Sequence, residues 1–345
     1  MIDIQSQAKL IQQLTDEWRF EDVKEVLKEF EMWVNEKVWD DDKQKIVTWM
    51  DGYLKLLKDR MTGMKNDSII PTWFKCIDDR VFGAVKWNIM TICARTWWGK
   101  TTLWLNIALN ICKDHKVGFI SLEMTEEEIW DKIVSSIASI DNSSLCINEF
   151  TKEEKQRIVG HIDEIKYALN NIERAYDCYD IDSICSVIEK MTDNGCEVIF
   201  VDWLWMIEAN GNAQFEKTRV IMRELKRIAI TKNVAIVAMQ QLNRQMDWTN
   251  RAPYLFDIAD WSSIEKISSP VLILWRVEEW KTEVSFYKTR RLNSRKFRNP
   301  TTNFVDYDKL LSCQLQNELQ YSRFVDIVEE DKKDNVNVKK EENPF

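Results

Sequence analysis

The sequence predicts an α/β fold: a mainly parallel central sheet flanked by helices, preceded by a short helical N-terminal segment. Three observations carry this. Apolar runs of strand length recur between helical stretches from residue 69 onward; one leads through a Gly-Lys-Thr turn into a helix, and another ends in an aspartate. Strands that alternate with helical patterns imply a parallel sheet covered on both faces.

Residues 1–68 carry helical spacing without strand runs. Leu10, Ile11 and Leu14, then Val23, Val26, Leu27 and Phe30, lie among charged residues and predict two or three helices, read as an N-terminal segment or linker. The β-rich texture occupies residues 69–325, with NIMTICA, VGFIS, EVIFVD, NVAIVAM and PVLILWRV as its strands. Residues 326–345 close on EEDKKDNVNVKKEENPF, whose charge density and lack of an apolar stripe predict a disordered tail.

Composition bounds the function. At 345 residues, 45% apolar and 30% charged, the chain is globular. No run approaches the roughly 18 apolar residues of a membrane span, and the N-terminus lacks a basic segment followed by an apolar core. A cytoplasmic location and no membrane partner are expected. The eight cysteines form no C-x-x-C pair, and only His115 and His161 could join them, which argues against a zinc site and for reduced, buried thiols. A net charge of -9 argues against coating nucleic acid with the whole surface and leaves room for a local basic groove.

The strongest local signal is NIMTICA followed by Arg95, Thr96, Trp97, Trp98, Gly99, Lys100, Thr101 and Thr102 and an apolar run from Leu103 to Cys112. A buried strand, a tight loop ending in Gly-Lys-Thr and a helix form the layout of a phosphate-binding P-loop (Walker A). In it, backbone N–H groups and the helix N-terminus face phosphate, Lys100 reaches the outer phosphates of ATP, and the Thr101 hydroxyl binds Mg²⁺. Ala94 stands where the general motif has its first glycine. About 100 residues later, EVIFVD places Asp202 at a strand's C-terminal edge, the Walker B position of a Mg²⁺ partner.

A longer series then carries a resemblance. IPTWFKCID (70–78), ICARTWWGKTT (92–102), FISLEM (119–124), MQQLNR (239–244), IADWSSIE (258–265) and YKTR (287–290) resemble, in order, the motifs of DnaB-type replicative DNA helicases. That family also accepts alanine at the first Walker A glycine. The resemblance implies a RecA-like P-loop NTPase that assembles as a ring, with a homo-hexamer expected, and hydrolyses ATP with Mg²⁺ to translocate on single-stranded DNA and unwind duplex. It implies Glu123 as the carboxylate that polarises the attacking water, a role that a carboxylate suits if held in a dry cleft near the γ-phosphate. It implies Gln241 as the sensor linking γ-phosphate to the DNA loops, and Lys288 and Arg290 as cations reaching a neighbouring subunit's site. Loops after Asp202 and Gln241 are expected at the DNA, with Arg244 and Arg251 as isolated cations, lacking interleaved aromatics, that contact the phosphate backbone. A primase or loader is implied as a further partner, although the first 65 residues are short for the family's N-terminal domain and linker.

Glycine numbers 8, against about 24 at the usual frequency, and tryptophan numbers 16. Trp73, Trp87, Trp97 or Trp98, and Trp261 stand where the resembled family carries glycine. The implication is that many are glycines from a reassigned codon, with positions 97 and 98 both glycine in the natural protein. Trp275, inside LILWR, is expected to be genuine. Two rivals stay open: a ring ATPase or recombinase without helicase action, and a catalytically dead nucleotide-binding scaffold if Trp97 and Trp98 are genuine.

Overall fold

The computed structural model describes residues 67–202, 204–243, 251–278, 280–287 and 310–327, with the isolated positions 52–54, 58, 61, 289, 292–293 and 296–297. The chain divides into two compact units, Met1–Asp67 and Ser68–Phe345. The second unit holds the sheet and the site. The expected N-terminal helices, Arg244, Lys288, Arg290 and the tail from 328 lie outside the described residues.

A short antiparallel pair, β1 (Ile69–Ile70) and β2 (Ala84–Val85), brackets helix α1 (Lys75–Val81). The side chain of the adjoining residue, Phe74, makes no cap for α1. Asp326, about 250 residues later, accepts from the Lys75 and Cys76 N–H groups at 2.8 and 3.0 Å instead. A carboxylate there satisfies orphan donors and complements the helix dipole.

The main run is β3 (Ile89–Ala94), α2 (Lys100–Ile111), β4 (Val117–Ser121) and α3 (Glu126–Ala138). Short helices α4 (Asn142–Cys146), α5 (Lys152–Gly160) and α6 (Ile162–Asn171) then lead to β5 (Ile172–Ala175). α7 (Ile181–Asp193), β6 (Val198–Asp202), α8 (Gln214–Thr231) and β7 (Ala235–Gln241) come next. α9 (Trp261–Ile267) precedes the antiparallel strands β8 (Val271–Glu278), β9 (Lys281–Tyr287), β10 (Ser312–Glu318) and β11 (Arg323–Asp326).

Among the described residues, nine strands form one sheet in the order β11-β10-β9-β8-β3-β7-β6-β4-β5. Pairing is parallel from β8 through β3, β7, β6 and β4 to β5, and antiparallel from β8 out to β11. The five apolar runs of the sequence are β3, β4, β6, β7 and β8. Every residue of β3, β4 and β6 is buried, as parallel strands covered on both faces require. On β3, Met90, Ile92 and Ala94 join the core under α2 and α3, while Ile89 and Cys93 join the core under α7 and α8. Trp104 of α2 is 1% exposed and meets Phe119 and Phe200 edge-on, with centroids 4.3 and 5.4 Å away.

The strands β9 to β11 escaped the reading of apolar runs. β10 alternates buried and more exposed positions along SCQLQNE, a period-2 pattern with one face in the core. No helix among the described residues is long and apolar enough to cross a membrane.

Gly83 makes the turn from α1 into β2 at φ +115, and a Cβ there would stand 2.2 Å from the Ile70 carbonyl oxygen. Both the conformation and the space exclude a side chain. Gly83→Ala is therefore expected to cost about 2 kcal/mol or more, read as a lower urea midpoint at unchanged slope.

Candidate nucleotide site

Register brings four strand ends to one edge of the sheet, the Ser121–Asp202 pair lying two residues short of the Ala94–Gln241 pair. Ala94 pairs with Gln241 and Ser121 with Asp202, while Val201 opposite Ala238 joins the two pairs. The P-loop, the Gln241 amide, the Asp202 carboxylate and the turn carrying Glu123 thus leave the sheet at the same edge. The chain leaving β3 crosses β7 and β6 to reach β4, whereas β8 lies on the other side of β3. Such a reversal of strand order opens a crevice at the carboxyl ends of the strands, where α/β sheets bind ligands.

The loop itself runs from Arg95 to Gly99. Gly99 precedes α2 at φ +82, and a Cβ on it would meet the Phe324 ring at 2.7 Å, so β11 closes in where only glycine fits. Trp97 is left-handed at φ 72 and 87% exposed. Trp98 is partly buried against both cores, with the Arg95 guanidinium 5.0 Å above its ring. The Gln241 amide donates to the Thr96 hydroxyl at 2.5 Å, tying β7 to the loop. Lys100, Thr101 and Thr102 open α2, so the N-terminal turn of the helix lines the crevice.

Glu123 is set by its neighbours on either side. The Leu122 N–H donates to the Asp202 carbonyl at 2.7 Å, and Ser121 Oγ exchanges hydrogen bonds with Met124 at 3.0 and 3.2 Å. Two residues past Glu123, Thr125 and Glu128 form a reciprocal capping box that starts α3. The Glu123 side chain is exposed in the single chain.

Asp202 is the opposite case. It is 1% exposed, and neither carboxylate oxygen has a hydrogen-bond partner in the structure. Burial pushes its pKa up to about 7; the Lys100 charge opposes that rise and Glu123 adds to it.

A cleft of about 270 Å³ gathers Arg95, Thr96, Trp97, Gly99, Lys100, Thr101 and Thr102 with Glu123 and Gln241. Ala94, Trp98 and Asp202 are not part of this lining, Ala94 and Asp202 being buried. Sequence reasoning missed two of its residues, Lys132 and Leu319. Lys132 lies on α3, nine residues beyond Glu123, in no motif. Leu319 arrives from the far end of the fold.

Arg251 departs from expectation. It is no isolated cation: its guanidinium donates to both oxygens of Asp257 at 2.7 Å. Tyr254 and Phe256, stacked with centroids 5.7 Å apart, lie beside it. Asp257, the residue just before the IADWSSIE stretch, holds it by bidentate geometry that spacing alone does not reveal.

Comparison with known proteins places this geometry. Residues 69–322 match the DnaB-like helicase C terminal domain. The chain is 31% identical over 241 residues to a probable plasmid replicative DNA helicase of Chlamydia muridarum, covering 66% of this chain and 52% of that protein. It is 25% identical over 238 residues to the replicative DNA helicase DnaB of Rickettsia typhi, covering 63% of this chain and 47% of the relative. The chain thus spans about half the length of the curated relatives it matches. Among solved structures, a DnaB-like replicative helicase described with its interactions with primase superposes with a TM-score of 0.67 at 21% identity, over 89% of this chain and 78% of that one. A family match over residues 69–322, laid on a RecA-like sheet, makes this chain a member of the DnaB-like helicase C-terminal domain family.

Proposed function

We propose that the chain binds ATP with Mg²⁺ in this cleft, hydrolyses it within a homo-hexameric ring in the cytoplasm, and uses the cycle to translocate on single-stranded DNA and unwind duplex. The observation that carries the reading is the convergence of Lys100, Glu123, Asp202 and Gln241 at one sheet edge. Membership of a helicase family supports it over a recombinase-type ring ATPase.

The residues fit a cation. A buried carboxylate with no donor is costly, and Asp202 offers two such oxygens. A bound Mg²⁺ supplies charge neutralisation for the phosphates. Lys100 adds a cation at the outer phosphates, and the α2 N-terminus adds its N–H groups. Glu123 orients and polarises the attacking water. Gln241, already bonded to Thr96, would exchange that partner for γ-phosphate and so report its presence to the loop after β7.

Exposure of Glu123 favours a ring, since a neighbouring subunit covering the crevice would dry the carboxylate. Lys288 and Arg290 are the cations we assign to that neighbour, acting in trans on developing phosphate charge. The loops after Asp202 and Gln241, with Arg244, are assigned to DNA. Arg251 is assigned to holding the second loop through Asp257 rather than to phosphate contact. A primase or loader completes the proposed partners.

Unwinding of a forked duplex tests the function. Strand displacement should require ATP, and Lys100→Ala should abolish it with the fold intact. Glu123→Gln should keep nucleotide binding while turnover falls about 100-fold or more. A Glu123→Gln protein that hydrolyses ATP at the parent rate would remove the carboxylate assignment.

Asp202 gives a stability signature. Its folded-state pKa near 7 lies above the ordinary 3.8, so its contribution favours folding below about pH 4 and is lost as pH rises through 7. In metal-free buffer, stability should fall over that window by on the order of 2–4 kcal/mol more in the parent than in Asp202→Asn. Chemical denaturation across pH, with and without Mg²⁺ and nucleotide, reads this difference.

A further inference from the structure

Ten non-glycine residues among those described have positive φ, and three of them are tryptophan: Trp73 at 62°, Trp87 at 60° and Trp97 at 72°. Six of the other seven are Asn, Asp or Ser, whose short polar side chains tolerate this region. A tryptophan there sets Cβ against the following carbonyl, and its large ring makes it one of the worst candidates for the region. Three at once, in a chain with 16 tryptophans and 8 glycines, call for one explanation.

At each position hydrogen bonds hold the local main chain. The Trp73 N–H donates to Asp78 Oδ2 at 2.8 Å, beside the Thr72 N–H and hydroxyl on Oδ1. The Trp87 N–H donates to the Val234 carbonyl at 2.9 Å, and its own carbonyl accepts from Lys226 Nζ at 2.7 Å. Trp97 lies in the turn closed by the Trp98 N–H and the Arg95 carbonyl at 3.3 Å. At two of the three positions packing does not compensate, because Trp73 and Trp97 are 56% and 87% exposed. Trp275 differs: it lies within β8, opposite Glu283, where extended backbone and flanking side chains suit a large ring. Trp98 and Trp261 lie outside the left-handed set, so the backbone makes no demand for glycine at either.

We propose that residues 73, 87 and 97 are glycine in the chain as its own cell makes it, the codon written as tryptophan being read there as glycine, while Trp275 is tryptophan. The consequence at the cleft is specific. Glycine at 97 keeps the left-handed turn without strain and removes an indole from the cleft lining, letting loop N–H groups approach an anion. The inference goes beyond the ATPase reading and does not rest on it, since peptide masses are indifferent to activity.

The experiment is mass spectrometry of peptides spanning positions 73, 87, 97 and 275 from protein purified out of the cells that carry the gene. Glycine at the first three and tryptophan at 275 is the expected result; tryptophan at 73, 87 and 97 overturns the proposal. A second readout uses the recombinant chain with all its tryptophans beside its Trp73→Gly/Trp87→Gly/Trp97→Gly counterpart. The glycine chain should melt several degrees higher as the left-handed strain is relieved, and Trp275→Gly should melt lower. A triple variant that melts no higher than its parent overturns the strain argument on which the assignment stands.

Discussion

Because β3 pairs with β7, β7 with β6 and β6 with β4 in parallel register, Ala94, Gln241, Ser121 and Asp202 end at one edge of the sheet, the second pair two residues short of the first, and that edge places the groups of the cleft. The strands are buried along their length, so slipping one by a residue would turn its whole apolar set to the wrong face. Register is therefore enforced by the two cores, and the site inherits its geometry from them. The carboxylate of Asp202 is what this arrangement strains: the sheet buries it without a hydrogen-bond partner, and the charges of Lys100 and Glu123 act on it, a cost that a bound cation would offset.

The antiparallel half of the sheet braces the same region. Asn106 of α2 accepts from the Phe324 N–H at 2.7 Å and donates to the Ser322 carbonyl at 3.0 Å, so β11 is fastened to the P-loop helix. Phe324 fills the space beside Gly99, Leu319 reaches the cleft, and Asp326 caps α1. A strand near the chain's end thus supports a loop more than 200 residues earlier, and the conformation of Gly99 depends on both.

The same physics decides how much was legible in the sequence. Strands covered on both faces announce themselves as apolar runs, and the P-loop and Asp202 could be placed at the ends of two of them from pattern alone. β10 and β11, half-buried and short, give only alternation within a polar stretch, and their link to α2 has no local signal. Glu123 and Gln241 were reached through resemblance to a family, not through spacing; register explains why they belong with Asp202 and Ala94. The exposure of Glu123 and the bidentate hold of Asp257 on Arg251 depend on what covers a side chain in three dimensions, which a linear pattern does not encode.

The central claim is that the unpartnered Asp202 carboxylate is the seat of the cation that accompanies nucleotide. Equilibrium binding of a non-hydrolysable ATP analogue, titrated with Mg²⁺ and with EDTA, addresses it most directly. The account predicts that Mg²⁺ tightens binding at least about tenfold in the parent and that Asp202→Asn loses most of that gain. Equal affinity with and without the metal, or an Asp202→Asn protein with the full Mg²⁺ effect, would contradict it.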